Sequence, residues 1–124
     1  MALDHVALVC RSEDSSDRFF KEILGLAKEP PKTVPASLAK QVFFLEKEMK
    51  VITYKGEGVK FEVFISDSET EPRQKISHVC LECPNVDEIL NKCTAAGLSV
   101  RRGEKGDRSI YFVEDFDSHL YELK

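Results

Sequence analysis

Two histidines and two glutamates carry the chemistry that this sequence can offer. His5 lies in Leu3-Asp4-His5-Val6-Ala7-Leu8-Val9-Cys10, and His78 lies in Ile76-Ser77-His78-Val79-Cys80-Leu81-Glu82-Cys83. His, Val, Leu and Cys hold the same places in both segments. Glu62 interrupts the apolar run Phe61-Glu62-Val63-Phe64-Ile65, and Glu122 interrupts Leu120-Tyr121-Glu122-Leu123. A carboxylate buried in such a run is costly without a partner. Two neutral imidazoles and two carboxylates balance a divalent cation, and that donor set suits Zn, Ni, Co, Fe or Mn. One divalent metal ion held by His5, Glu62, His78 and Glu122 is therefore expected. The competing reading puts both glutamates on a solvated sheet face and leaves the histidines as ordinary rim residues.

The elements that must position these residues also come in two sets. Residues 3–10 read as a strand, on which His5, Ala7 and Val9 share a face. Ser12 followed by Glu13 and Asp14 reads as a helix start. Phe19, Phe20, Ile23 and Leu24 give that helix one apolar face, and Gly25 ends it. Residues 28–40, with Pro30, Pro31 and Pro35, read as an irregular connection. Strands are expected at Gln41 to Leu45, Lys50 to Tyr54 and Val59 to Ile65, with Lys55-Gly56-Glu57-Gly58 as a hairpin turn. The polar stretch 66–75 reads as a linker.

The second set repeats this order. Ile76 to Cys83 is a strand on which His78, Cys80 and Glu82 share a face. Asn85 with Glu88 has the spacing of a capping box, opening a helix that buries Val86, Ile89, Leu90 and Cys93 and ends at Gly97. Strands are expected at Val100 to Arg102, Arg108 to Val113 and His119 to Lys124, with a turn at Asp115-Phe116-Asp117-Ser118. Each half thus reads βαβββ. A half this small cannot bury its helix stripe and its sheet face alone, so pairing of halves is expected. The glutamates are closer together than the histidines, which excludes a strict solenoid repeat.

Composition narrows the function classes. A chain of 124 residues fits a single domain, here with module one at about 1–66, a linker at about 67–75 and module two at about 76–124. The net charge of −4 disfavours nucleic acid and anionic membrane surfaces as partners. No apolar run is long enough for a membrane span and no signal peptide pattern opens the chain, so a cytoplasmic protein is expected. Cys80 and Cys83 spell C-x-x-C, but side chains three apart on a strand point to opposite faces. The four cysteines read as small buried hydrophobes. Arg101, Arg102, Lys105 and Arg108 form a basic cluster that reads either as a clamp for an anionic group or as a solvated loop. Arg108, Ser109 and Tyr111 are candidate substrate contacts. Tyr54 is a weaker one, and His119 reads as a surface or supporting residue.

Paired βαβββ modules, with a His on the first strand and a Glu on the last strand of each, resemble the vicinal oxygen chelate superfamily. It is also called the glyoxalase/bleomycin-resistance/dioxygenase superfamily. The ending Asp115-Phe116-Asp117-Ser118-His119-Leu120-Tyr121-Glu122-Leu123 resembles its Asp-Pro-Asp-Gly-x-x-x-Glu closing motif, with Phe116 for Pro and Ser118 for Gly. The resemblance covers essentially the whole chain. It implies an α+β fold of two tandem modules whose curved mixed sheets enclose a metal, a small-molecule substrate, and a homodimer.

Within the superfamily, the two-His, two-Glu set is similar to glyoxalase I and the epimerase-like members. That likeness implies a lyase or isomerase working through an enediolate or enolate, with Glu62 and Glu122 as the proton-moving residues. Arg108 to Phe112 and the closing motif are similar to fosfomycin-resistance enzymes, which implies an epoxide-opening alternative. Ala7 and Glu62 depart from that pattern, and a second carboxylate would repel a phosphonate. Ring-cleaving dioxygenases use two His and one Glu. Bleomycin-type binders lack the ligands, and a non-catalytic binding member is the third reading.

Overall fold

The computed structural model describes residues 3–43, 45–67, 78–105 and 107–124. The chain divides into two compact units, residues 1–68 and 69–124. Each carries one mixed sheet with helix on one of its faces.

In the first unit β1 (Val6–Cys10) runs parallel to β5 (Val59–Ile65), which pairs antiparallel with β4 (Met49–Gly56). The sheet order is β1-β5-β4-β2, with β2 (Ala27–Lys28) and β3 (Lys32–Val34) both on the outer edge of β4. Register puts Val6 beside Phe61 and Tyr54 opposite Phe61, so these side chains share a face. Helix α1 covers that face. Ser12 caps it, accepting the Ser15 N–H at 3.1 Å. It begins as Glu13–Ser16 and continues as a wider π-helical segment, Asp17–Ile23, in which the Leu24 N–H reaches back to the Phe19 carbonyl at 3.0 Å. The wider turn lets the adjacent Phe19 and Phe20 rings both bury, meeting edge to face at 5.1 Å. Phe20 then stacks on Tyr54 at 5.1 Å and leans on Phe61 at 5.2 Å. Gly25 ends the helix at φ 73°, a conformation that suits glycine.

In the second unit β6 (His78–Leu81) runs parallel to β9 (Leu120–Leu123), and β8 (Arg108–Glu114) joins β9 to β7 (Val100–Lys105) in antiparallel fashion. One face holds Val113, Tyr121 and Leu123, all buried. Helix α3 (Val86–Ala95) buries Ile89 and Cys93 of the expected stripe, while Val86 and Leu90 are only half-buried.

The α+β class and the βαβββ order are as the sequence predicts. Three local expectations are corrected. Residues Ala36–Phe43 form a helix, α2, where a strand at 41–45 was expected. Pro35 supplies its first acceptor, taking the Ala39 N–H at 2.9 Å, and Ala36, Leu38 and Ala39 are good helix formers. The stretch 28–40 is not irregular throughout, because β2 and β3 complete the edge of β4 on either side of Pro30 and Pro31. Asn85 occupies the N-cap position of α3 without a side-chain bond to the helix backbone. Its amide instead donates to Glu88 Oε2 at 3.2 Å. Most of the expected linker, together with Ile76 and Ser77, lies outside the described residues.

Candidate metal centre in two half-sites

Glu62 sits in register with Ala7 on β1 and Thr53 on β4, on the face away from Phe61 and the helix. His5 immediately precedes β1, and its Nε2 lies 3.4 Å from Glu62 Oε2. The second unit repeats the arrangement. Glu122 is in register with Cys80 and Phe112, away from the face that buries Tyr121 and Leu123. His78 Nε2 lies 3.5 Å from Glu122 Oε2, and the Phe112 ring meets the His78 ring nearly at right angles at 5.2 Å. The sequence-predicted ligands are thus brought together pairwise, one His with one Glu in each unit.

The separation is informative. Both contacts are long for an N–H···O bond. Donors about 2.1 Å from a common ion stand roughly 3.0–3.4 Å apart at octahedral or tetrahedral angles. On His5 the other nitrogen, Nδ1, donates to Asp4 Oδ2 at 2.8 Å, so neutral His5 turns a bare Nε2 lone pair toward a carboxylate. Two acceptors facing each other leave a place for a cation. The residues present therefore fit a divalent ion.

A cavity of about 600 Å³ opens on the second half-site. His78, Glu122, Ile110, Phe112, Arg108 and Lys124 are among its lining residues. Ser109 and Tyr111 also border it, but they alternate to the other face of β8, in line with Val113. The Ser109 hydroxyl is engaged by Arg102 at 2.9 Å. The basic cluster divides: Arg101 pairs with Glu114 and Arg102 with Glu104, whereas Arg108 has no ion-pair partner among the described residues. The Lys105 side chain lies outside the described residues. Tyr54 is buried under α1 and donates to Asp17 Oδ1 at 2.7 Å, a structural contact. Burial, then the Asp17 hydrogen bond, pushes its phenol well above the ordinary range.

The cysteines are free. Cys10 and Cys93 are buried as expected, but Cys80 is exposed on the Glu122 face. Burial of its sulfur and the Glu122 charge together push its thiol up.

Two supporting residues escaped the sequence reading. Asp115 is buried, and its Oδ1 accepts the Asp117 and His119 N–H groups, each at 2.9 Å. Its Oδ2 accepts His119 Nδ1 at 2.7 Å and the Tyr121 hydroxyl at 3.0 Å. This fixes the turn from which β9 delivers Glu122, and gives His119 the supporting role expected of it. The signal was the Asp-x-Asp spacing, read only as a turn. The other residue is Asp4, whose signal was its position directly before His5.

Comparison with known proteins agrees with this fold. No curated protein matches the chain. Among solved structures, a glyoxalase family protein from Bacillus cereus superposes with a TM-score of 0.76 at 18% identity, covering 99% of this chain and 92% of that one. A glyoxalase family protein from Enterococcus faecalis gives 0.72 at 18% identity, covering 98% and 94%. A mutant of the fosfomycin resistance protein FosX from Listeria monocytogenes, complexed with Mn(II) and 1S,2S-dihydroxypropylphosphonic acid, gives 0.72 at 21% identity, covering 98% and 90%. The family model for the Glyoxalase/Bleomycin resistance protein/Dioxygenase superfamily matches residues 4–112. With that match across most of its length, the chain belongs to the glyoxalase/bleomycin resistance/dioxygenase, or vicinal oxygen chelate, superfamily.

Proposed function

We propose that this protein is a metal-dependent lyase or isomerase of glyoxalase type that moves a proton next to a carbonyl of a small oxygenated substrate. The observation that carries the reading is the recurrence, in each unit, of a histidine Nε2 facing a glutamate carboxylate across 3.4 or 3.5 Å. His5, Glu62, His78 and Glu122 would hold one divalent ion. When bound, the ion supplies a Lewis acid that stabilises negative charge on substrate oxygen. The chain's own residues do the rest. Glu122 lines the cavity with a side chain only 17% exposed, which supports its role here as the group that takes a proton from a substrate carbon. Glu62 is the second candidate for the return transfer. Ile110 and Phe112 exclude water from part of the cavity wall, and Arg108 receives an anionic group of the substrate. Ser109 and Tyr111 assist from the other face of β8. The two modules act as one domain, residues 1–124, in a cytoplasmic homodimer.

Solvent deuterium exchange next to the carbonyl tests this, using a panel of hemithioacetals and acyl-CoA thioesters. Metal-loaded protein is expected to exchange at least one member, and Glu122→Gln to lose roughly a hundredfold or more, the scale of a removed proton-transfer group. No exchange across the panel overturns the reading. Arg108, without an ion-pair partner among the described residues, favours one second reading, in which an anionic epoxide such as fosfomycin is opened. Product formation from fosfomycin without any exchange of the panel would select it.

A further inference from the structure

His5 has a carboxylate at each ring nitrogen. Nδ1 donates to Asp4 Oδ2 at 2.8 Å, and Nε2 faces Glu62. The same Asp4 oxygen takes Lys60 Nζ at 2.7 Å. Lys60 and Glu62 are two apart on β5 and so share a face. The parallel register of β1 with β5, Val6 beside Phe61, brings the residues just before β1 alongside them. Three consecutive contacts result, Lys60 to Asp4, Asp4 to His5 and His5 to Glu62, all on the open face of one sheet. The Asp4 side chain is 74% exposed.

A carboxylate can only accept a hydrogen bond, so Asp4 selects the tautomer of neutral His5 that carries its proton on Nδ1. That tautomer leaves the Nε2 lone pair for a metal, and a carboxylate behind the ring makes the imidazole a stronger donor. We propose that Asp4 is a positioning residue for the metal centre, acting through His5, and that Lys60 holds Asp4 in place. The inference rests on the reading of His5 as a ligand. The duplication puts Ser77 where the first module has Asp4, and Ser77 lies outside the described residues.

The test is Zn(II) titration by calorimetry, with the His5 tautomer read by long-range proton–nitrogen correlation in metal-free protein above the ordinary imidazole range. Asp4→Ala is expected to weaken Zn(II) roughly 10–100-fold, as loss of a carboxylate behind a histidine ligand does elsewhere. It is also expected to move the His5 proton from Nδ1 to Nε2. Asp4→Asn keeps an acceptor and should retain the Nδ1–H tautomer and most of the affinity. Asp14→Ala removes the same charge elsewhere and should change neither. Unchanged Zn(II) affinity or an unchanged tautomer in Asp4→Ala overturns the proposal while leaving the metal reading intact. Failure of the wild-type protein to bind Zn(II) overturns both.

Discussion

At the scale of single residues, position on a strand decides what a side chain can do. Glu62 and Phe61 are neighbours in sequence, yet one ends beside His5 and the other beneath Phe20. The same holds for Glu122 and Tyr121, the latter buried and bonded to Asp115. Sequence alone shows these contrasts, because alternation sorts strand side chains by parity. It shows less for residues whose role depends on partners far away in the chain. Tyr54 stays a candidate substrate contact until the fold puts α1 over it. The basic cluster is likewise ambiguous until Glu114 and Glu104 are seen to occupy Arg101 and Arg102. Arg108 is then the arginine of the cluster without an ion-pair partner among the described residues. Arg108→Gln should raise KM for an anionic substrate by roughly tenfold, the equivalent of about 1.4 kcal/mol, with kcat little changed. Steady-state kinetics on any substrate that exchanges deuterium measures this. A fall in kcat at constant KM would contradict it.

At the scale of elements, the site depends on turns and edges as much as on the strands that carry it. The turn before β9 is held by Asp115 and forces Ser118 to φ 65°, where a side chain is strained. The resemblance to the closing motif placed glycine at this position, and the backbone supplies the reason. Ser118→Gly should therefore stabilise the protein by about 1 kcal/mol, seen as a higher midpoint in urea unfolding at unchanged slope. No change in midpoint would mean that the hydroxyl offsets the strain. The strands and helices bearing candidate residues were legible from periodicity and caps. The segment between Lys28 and Phe43 was not. Its strands have only two and three residues, which leaves no alternation to read, and its helix is short and rich in residues that also pass for loop or strand. Asn85 does occupy the N-cap, but a capping pattern does not say whether its amide meets the helix backbone or the Glu88 carboxylate.

At the scale of the whole molecule, duplication gives each unit the same equipment: a mixed sheet, a helix on one face and a His–Glu pair on the other. Neither pair alone has enough ligands for a tight divalent site, since structural and catalytic sites of this type use three or four protein donors. A protein that uses both pairs for one ion binds it with all four side chains and loses it when either pair is broken. Metal content therefore tests the account most directly. Protein purified without added metal, and wild type titrated with Zn(II) or Mn(II), should be compared with His5→Ala and His78→Ala. The account predicts about one ion per chain at saturation, a number set by four ligands per ion, and loss of tight binding in each variant. Two ions per chain, or binding that survives both substitutions, would contradict it.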